Sequence, residues 1–174
     1  HQLQVSTLQE LYVHAVDMEH KTNVMRELDR LKIKYNHYCY VDTQAVSGIE
    51  VAAVLNQNPD RVFKTLVTVG KSNKHYVFMV PVAQELDLKK AAKSVGEKSV
   101  EMLKSKDLLP LTGYIHGGCS PIGMKKFFTT TIDTTAENFD TIIFSAGKIG
   151  YQVEMKLEDL SKVIRFNLAN ITEN

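Results

Sequence analysis

The sequence contains no tryptophan, two cysteines and four prolines among its 174 residues. Two cysteines, Cys39 and Cys119, are too few for a disulfide framework and do not have the spacing of zinc ligands. No apolar run reaches the ~18 residues that span a bilayer as a helix. Hydrophobic residues make up 44% and charged residues 24% of the chain, which is typical of a globular domain. The sequence therefore predicts one folded domain with no metal and no membrane contact.

Several motifs that would indicate cofactor or nucleophile chemistry are also missing. There is no G-x-G-x-x-G before a helix and no G-x-x-x-x-G-K-[ST], so dinucleotide and P-loop chemistry are unsupported. The G-x-S-x-G elbow of many hydrolases is absent. The histidines are scattered without metal-ligand spacing. We expect no cofactor.

The first part of the chain is expected to lie outside the core domain. Residues 1–17 precede Met18, which opens a segment like a natural start, and they are interpreted as an added or non-core leader. Residues 18–174 are expected to form the domain. The leader has no basic start followed by a long apolar stretch, and the two cysteines fit a reducing compartment. Both features favour a cytoplasmic location.

The charges are balanced overall but unevenly distributed. The chain has 21 Lys and Arg against 20 Asp and Glu. Residues 133–160 are acidic, whereas residues 89–106 are rich in lysine. Such a basic segment is usually a solvated helix face, but a local patch can also attract a polyanion such as nucleic acid. The lysines in question are Lys89, Lys90, Lys93, Lys98, Lys104 and Lys106.

The hydrophobic pattern predicts an α+β fold. It indicates a compact single domain with a mixed, mostly antiparallel sheet and flanking helices. A hairpin is predicted at the glycine-containing turn 70–73, and a further turn or two of helix at 100–103. The other predicted helices are 21–33, 48–55, one after Asp87, one around Ala136 and one at 158–163; the predicted strands are 35–41, 61–69, 74–82, 127–132, 141–144 and 151–156.

Lys64 lies between apolar neighbours in a predicted strand. Strand alternation puts it on the same face as Val62 and Leu66. A cation on an apolar face needs an anionic partner or a polar cleft. The alternative is an edge-strand lysine whose amine reaches water.

A second candidate feature is the glycine-rich loop at 113–123. Its backbone N–H groups can collect around a phosphate or a developing oxyanion, although such a loop can also be a simple tight turn. Cys119 lies inside this loop. It could be a nucleophile with a lowered pKa, but a free cysteine is more often a small packed hydrophobe, and packing is our prediction.

Three segments in order resemble the bacterial YbaK family of Cys-tRNA(Pro) deacylases, relatives of the editing domain inserted in prolyl-tRNA synthetase. They are FKTL at 63–66, LDLKKAAKSVG at 86–96, and TGY followed by GG, SP, G and KK within 112–126. The resemblance runs from about residue 21 to residue 165. It implies a compact α+β fold that hydrolyses the ester of a misacylated tRNA, with tRNA and prolyl-tRNA synthetase as partners.

The resemblance also implies a set of site residues. Lys64 would position the tRNA end and the ester, and the backbone of Gly117 would meet the aminoacyl group. In cysteine-specific members the thiol of the substrate is thought to attack its own ester, so the protein would supply no nucleophile. The implied catalytic residues are Lys64 and Gly117, and the implied substrate-binding residues are Tyr40, Ser145, Ser120 and Gly118.

The sequence departs from the family pattern at three positions. Cys119 stands where similar relatives often have an aliphatic residue, and Ala146 and Ile149 lie in a loop that is commonly GGKRG. Two alternatives to a Cys-tRNA(Pro) deacylase therefore stay open. One is a deacylase with a broader range of misacylated tRNAs, and the other is a non-catalytic module that binds tRNA or synthetase. A cysteine hydrolase that uses Cys119 is a third interpretation.

Overall fold

The computed structural model describes residues 21–174, so the prediction for the leader at 1–17 lies outside the described residues. Within residues 21–174, no helix has both the length and the apolar character needed to cross a membrane.

The larger of two sheets has five strands. Its order is β4-β2-β3-β5-β8, in which β2 pairs antiparallel with β3 and β4, while β5 pairs parallel with β3 and β8. The predicted turn at 70–73 connects β2 and β3 as expected. The strands are β2 (Phe63–Gly70), β3 (His75–Pro81), β4 (Val100–Met102), β5 (Thr129–Asp133) and β8 (Asn167–Ala169).

The smaller sheet has three antiparallel strands in the order β1-β7-β6. These are β1 (Asn36–Cys39), β6 (Ile142–Ser145) and β7 (Tyr151–Met155). A single parallel bridge between Val62 and Ile143 joins the start of β2 to β6. The two sheets thus meet along one seam.

Within residues 21–174, five α-helices flank the sheets. Several begin at side chains that accept hydrogen bonds from the first free N–H groups: Thr22, Ser47 and Asp87 each cap a helix in this way. Single 3₁₀ turns lie at Pro59–Arg61 and Thr134–Asn138. The helices are α1 (Asn23–Arg30), α2 (Gly48–Val54), α3 (Leu88–Val95), α4 (Ser105–Thr112) and α5 (Leu157–Leu160).

The largest core cluster lies between the two sheets and α1. Phe63 of the five-stranded sheet, Phe144 of the three-stranded sheet and Leu28 of α1 are each at most 2% exposed within it. A second cluster packs α3 against the five-stranded sheet through Ala91, Ala92 and Phe78. Burial of this apolar surface is the main force that holds the sheets together.

One buried carboxylate lies on the three-stranded sheet. Glu154 is 8% exposed, and it accepts hydrogen bonds of 2.5 Å from both Tyr38 Oη and Thr141 Oγ1. Arg61 Nη1 lies 3.7 Å from its Oε2. Burial alone would raise the pKa of Glu154, but the hydrogen bonds from Thr141, Tyr38 and Asn36 outweigh it and lower the pKa. The same contact with Glu154, together with burial, raises the pKa of Tyr38 to about 12.

The structure confirms the α+β class and the mixed, mostly antiparallel pairing, and it corrects two details. The predicted sheet is divided into two. The predicted helical turn at 100–103 is wrong, because Val100–Met102 is a strand that pairs with residues 68–70 of β2. The helix that follows begins only at Ser105 and contains Pro110.

Candidate active site

Lys64 lies near the start of β2, on the face that the sequence predicted. Val62 on that face is 2% exposed and packs with Ala52 of α2, while Leu66 packs against the cluster under α3. The Lys64 side chain is 29% exposed, and its Nζ lies 3.6 Å from Oε1 of Glu85. The Glu85 side chain is 77% exposed. A partner this exposed holds the ammonium weakly. The Lys64 cation is therefore accessible to an external anion.

Ser145 ends β6, the strand that meets β2. Because the bridge between Val62 and Ile143 is parallel, the next residues that point to the same face are Lys64 on β2 and Ser145 on β6. Ser145 is half-buried, and its Oγ accepts a 3.1 Å hydrogen bond from the N–H of Gly147. The seam between the sheets thus brings these two side chains to one surface.

The segment 145–150 connects β6 to β7 and touches two other parts of the candidate site. Tyr40, half-buried and directly after β1, donates its N–H to the carbonyl of Gly150 over 2.8 Å. A Cβ at Gly150 would collide with the Val41 side chain, so only glycine fits there, and its φ of +99° also favours glycine. Tyr40 is therefore placed beside the loop that follows Ser145.

Gly117 and Gly118 lie on the other side of this loop. Gly117 is exposed with a φ of +87°, and its N–H has no hydrogen-bond partner among residues 21–174. The Gly118 N–H donates to the carbonyl of Ile115 over 3.0 Å. A Cβ at Gly118 would lie 3.1 Å from Ile149 N and 3.4 Å from the Lys148 carbonyl carbon. Gly118 therefore lets the two loops pack backbone to backbone, while Gly117 presents a free donor.

The next two residues of the glycine-rich loop point inward. Cys119 is 8% exposed and packs with Val67, Val77 and Leu108, and burial raises the pKa of its thiol to about 12. The packing prediction for Cys119 is confirmed. Ser120 is fully buried, and its Oγ accepts a 3.3 Å hydrogen bond from Ile122 N. The Ser120 hydroxyl therefore helps to hold the conformation of the loop.

Tyr114 is a residue to which the sequence analysis assigned no role. Its Oη donates to the carbonyl of Ile122, and its ring lies 3.0 Å from where a Cβ on Gly147 would stand. Burial raises the pKa of its phenol to about 12, with a smaller contribution from Cys119. Tyr114 therefore packs between the glycine-rich loop and the 145–150 loop. The sequence signals for it were its place in the TGY motif at 112–114 and its position between Gly113 and Gly117.

Four of the six predicted residues lie in or against the 145–150 loop, and Lys64 follows the bridge that joins the start of β2 to β6. Within the described part of the chain, no group of three or more His, Cys, Asp or Glu side chains is arranged to hold a metal ion. This region offers the ammonium groups of Lys64 and Lys148, backbone N–H groups such as that of Gly117, and hydroxyl groups. The four residues at the loop are Tyr40, Gly117, Gly118 and Ser145.

Comparison with known proteins identifies the family. The model of the aminoacyl-tRNA editing domain matches residues 43–163, and the chain belongs to this family. Over 155 residues the chain is 46% identical to a protein of Enterococcus faecalis, the Cys-tRNA(Pro)/Cys-tRNA(Cys) deacylase EbsC, covering 88% of this chain and 94% of the relative. The recognised family and its aminoacyl-tRNA editing activity are confirmed.

Two more distant proteins are similar over most of the chain. The prolyl-tRNA editing protein ProX of Acetoanaerobium sticklandii is 23% identical over 160 residues, which cover 87% of this chain and 94% of ProX. A crystal structure of a trans-editing enzyme for prolyl-tRNA synthetase superposes with a TM-score of 0.73 at 21% identity, covering 87% of this chain and 97% of that one. That superposition confirms the fold.

Proposed function

We propose that the protein removes cysteine from mischarged Cys-tRNA(Pro) by cleaving the aminoacyl ester. The observation that carries this proposal is the 46% identity to EbsC over nearly the whole length of both chains. A proline pocket in a synthetase cannot strongly reject a similarly small amino acid, because such size differences are worth only about 1–3 kcal/mol. A separate editing site meets that need. We further propose that the protein acts in the cytoplasm, in trans to prolyl-tRNA synthetase.

Lys64 is the proposed contact for the tRNA end. The terminal adenosine brings a phosphate next to the ester. The Lys64 ammonium, whose one ion pair within residues 21–174 is with an exposed carboxylate 3.6 Å away, can exchange that partner for the phosphate. This contact would fix the ester against the 145–150 loop. We propose that Tyr40 and Ser145 line the space for the aminoacyl group.

Gly117 is the proposed oxyanion donor. Its N–H is unpaired within the described residues, and its positive φ turns the backbone so that the loop is exposed at this point. A backbone donor of this kind stabilises negative charge on the ester oxygen as a tetrahedral intermediate forms. We assign Gly118 and Ser120 to the shape of the loop, since Gly118 packs on Ile149 and Ser120 is buried.

The proposed nucleophile comes from the substrate. The Cys119 thiol is buried with a pKa raised to about 12, which makes it a poor nucleophile at neutral pH. The cysteine of the substrate has an ordinary thiol pKa of about 8.5, so a useful fraction is thiolate. Its sulfur attacks the ester carbon, the carbon–sulfur bond forms, and the carbon–oxygen bond to the ribose breaks. The ribose oxygen takes a proton from water, and water then opens the cyclic thioester to free cysteine.

A broader substrate range is the second candidate. EbsC is named for both Cys-tRNA(Pro) and Cys-tRNA(Cys), which favours recognition of the cysteinyl group over recognition of one tRNA. Cleavage of Cys-tRNA(Cys) at a rate similar to that of Cys-tRNA(Pro) would support it.

The decisive experiment compares Cys-tRNA(Pro) with Ser-tRNA(Pro) under single-turnover conditions at saturating enzyme. The two substrates differ by sulfur for oxygen, and a serine hydroxyl is far less acidic than a thiol. We expect cleavage of the cysteinyl ester to be much faster, with Pro-tRNA(Pro) left intact as the control. Equal rates within a few-fold would require a nucleophile or activated water supplied by the protein and would refute the mechanism. Cleavage of neither substrate would favour a non-catalytic binding module.

A further inference from the structure

A groove lies at the far end of the five-stranded sheet, away from Lys64. It has a volume of about 550 Å³ and forms where β3 and β5 begin, below the C-terminal end of α3. Lys64 pairs with Val80, five residues along β3 from His75. At ~3.4 Å per residue, the groove lies about 17 Å from the pairing position of Lys64. It is therefore separate from the candidate active site.

Cations and an exposed ring surround this groove. Lys74 lines it directly, and Phe127, which is 53% exposed, forms part of its wall. The guanidinium carbon of Arg165 lies 5.2 Å from the centre of the Phe127 ring, a contact that orients the guanidinium. Glu97 accepts hydrogen bonds from Ser72 and from Tyr76 Oη, which lower its pKa, so it stays ionised near Lys74. Lys74 and Arg165 together carry two positive charges against the one negative charge of Glu97.

Helix α3 connects the groove with the region of Lys64. The helix begins at Asp87, two residues after the Glu85 that pairs with Lys64, and its eight residues span about 12 Å. Its last residues line the groove. Lys89 and Lys93 are both exposed and lie four residues apart, so they project from one side of the helix.

Four exposed cations lie on α3 and around the groove at its C-terminal end, and we call this set the α3 track: Lys89, Lys93, Lys74 and Arg165. We propose that the α3 track binds the duplex acceptor stem of tRNA while the 3′ end reaches Lys64. Proteins contact duplex RNA mainly through its phosphates and 2′-hydroxyls, and lysine and arginine side chains placed along a surface supply those contacts. The inference rests on the proposed function, because it takes the substrate to be tRNA.

The test compares two substrates of different length in the double variant Lys93→Glu/Arg165→Glu. One substrate is full-length Cys-tRNA(Pro), and the other is a cysteine-charged CCA trinucleotide, which cannot reach the track. We expect KM for full-length tRNA to rise at least several-fold with kcat unchanged, and both constants for the trinucleotide to stay unchanged. The slope of log KM against log salt concentration should also fall by roughly one unit for each cation removed.

The matched control is Lys34→Glu, which makes the same charge change at an exposed lysine just before β1 of the other sheet. An unchanged KM for full-length tRNA in the double variant, or an equal loss on both substrates, would overturn the proposal. Binding of uncharged tRNA, measured by fluorescence anisotropy, tests the track independently of catalysis. If the wild-type protein cleaves neither substrate, the proposed function fails, while weaker tRNA binding by the double variant alone would still support the track.

Discussion

Replacement of Lys64 by alanine should separate activity from stability. The only ion pair of Lys64 within the described residues joins it to a carboxylate that is 77% exposed, at 3.6 Å. An ion pair of that kind contributes about 0–1 kcal/mol to folding. For a chain of this length, such a change lowers Tm by no more than about 2–4 °C. The folded state should therefore survive Lys64→Ala almost unchanged.

The expected loss of activity is much larger. A hydrogen bond between an ammonium and a phosphate is worth about 1.5–3 kcal/mol when its partner would otherwise stay unpaired. If that interaction holds the ester in place, kcat/KM falls by roughly 10- to 150-fold, and further if the ester is misplaced as well. The assay is deacylation of labelled Cys-tRNA(Pro), with Tm measured on the same samples.

Glu85→Gln is the matched control for this experiment. It removes the same ion pair but leaves the Lys64 ammonium in place, so activity should stay within about threefold of wild type while Tm shifts as little as in Lys64→Ala. Near wild-type turnover of Lys64→Ala would refute the role of Lys64. A large fall in Tm in Lys64→Ala would refute the assumption that the ion pair between Lys64 and Glu85 is weak.

Three further predictions concern residues with different roles. Cys119→Ala should keep most of the deacylase activity and cost about 1 kcal/mol of stability in urea unfolding, since this thiol is buried with a pKa of about 12; loss of activity at unchanged stability would instead make it the nucleophile. Gly118→Ala places a Cβ 3.1 Å from Ile149 N, so the 145–150 loop must shift and kcat/KM should fall roughly tenfold with little change in Tm; an unchanged rate would show that the packing of the loops does not matter. The lowered pKa of Glu154 means that its ionised form stabilises the fold above about pH 4.5 and that this contribution is lost as the pH falls below that value. Glu154→Gln should therefore lower stability at pH 7 and make Tm fall less steeply in acid. An equally steep fall of Tm in acid for the variant and the wild type would contradict this.

The sequence predicted elements well where periodicity or turn chemistry was strong. Helix α3 follows its Asp87 cap, and the β2–β3 hairpin follows its glycine-containing turn. The segment Val100–Met102 is too short to show a period, and its strand conformation depends on pairing with β2, so the helical turn predicted at 100–103 is wrong. Tertiary pairing of this kind leaves no local signal.

The candidate site shows the same limit. An anion-binding role for Lys64 could be inferred from a cation among apolar neighbours. A backbone N–H available to a ligand could be inferred from the glycines near Gly117. The placement of Lys64 and Ser145 on the same side of the seam could not be inferred, because it depends on a single parallel bridge between strands that are distant in the chain. Tyr114 was missed for a related reason, since its contacts lie with loops that only the fold brings together.

If Lys64 and Ser145 act as proposed, the seam between the sheets makes catalysis depend on residues that never touch the substrate. Lys64 belongs to one sheet and Ser145 to the other, and the cluster of Ala52, Val62 and Ile143 sets their relative position. A slight sliding of one sheet past the other would leave both cores packed while it separates the two halves of the site. In a mutational scan for turnover, these three buried aliphatic positions would therefore score like active-site residues, and enzyme activity would report inter-sheet alignment well before unfolding begins.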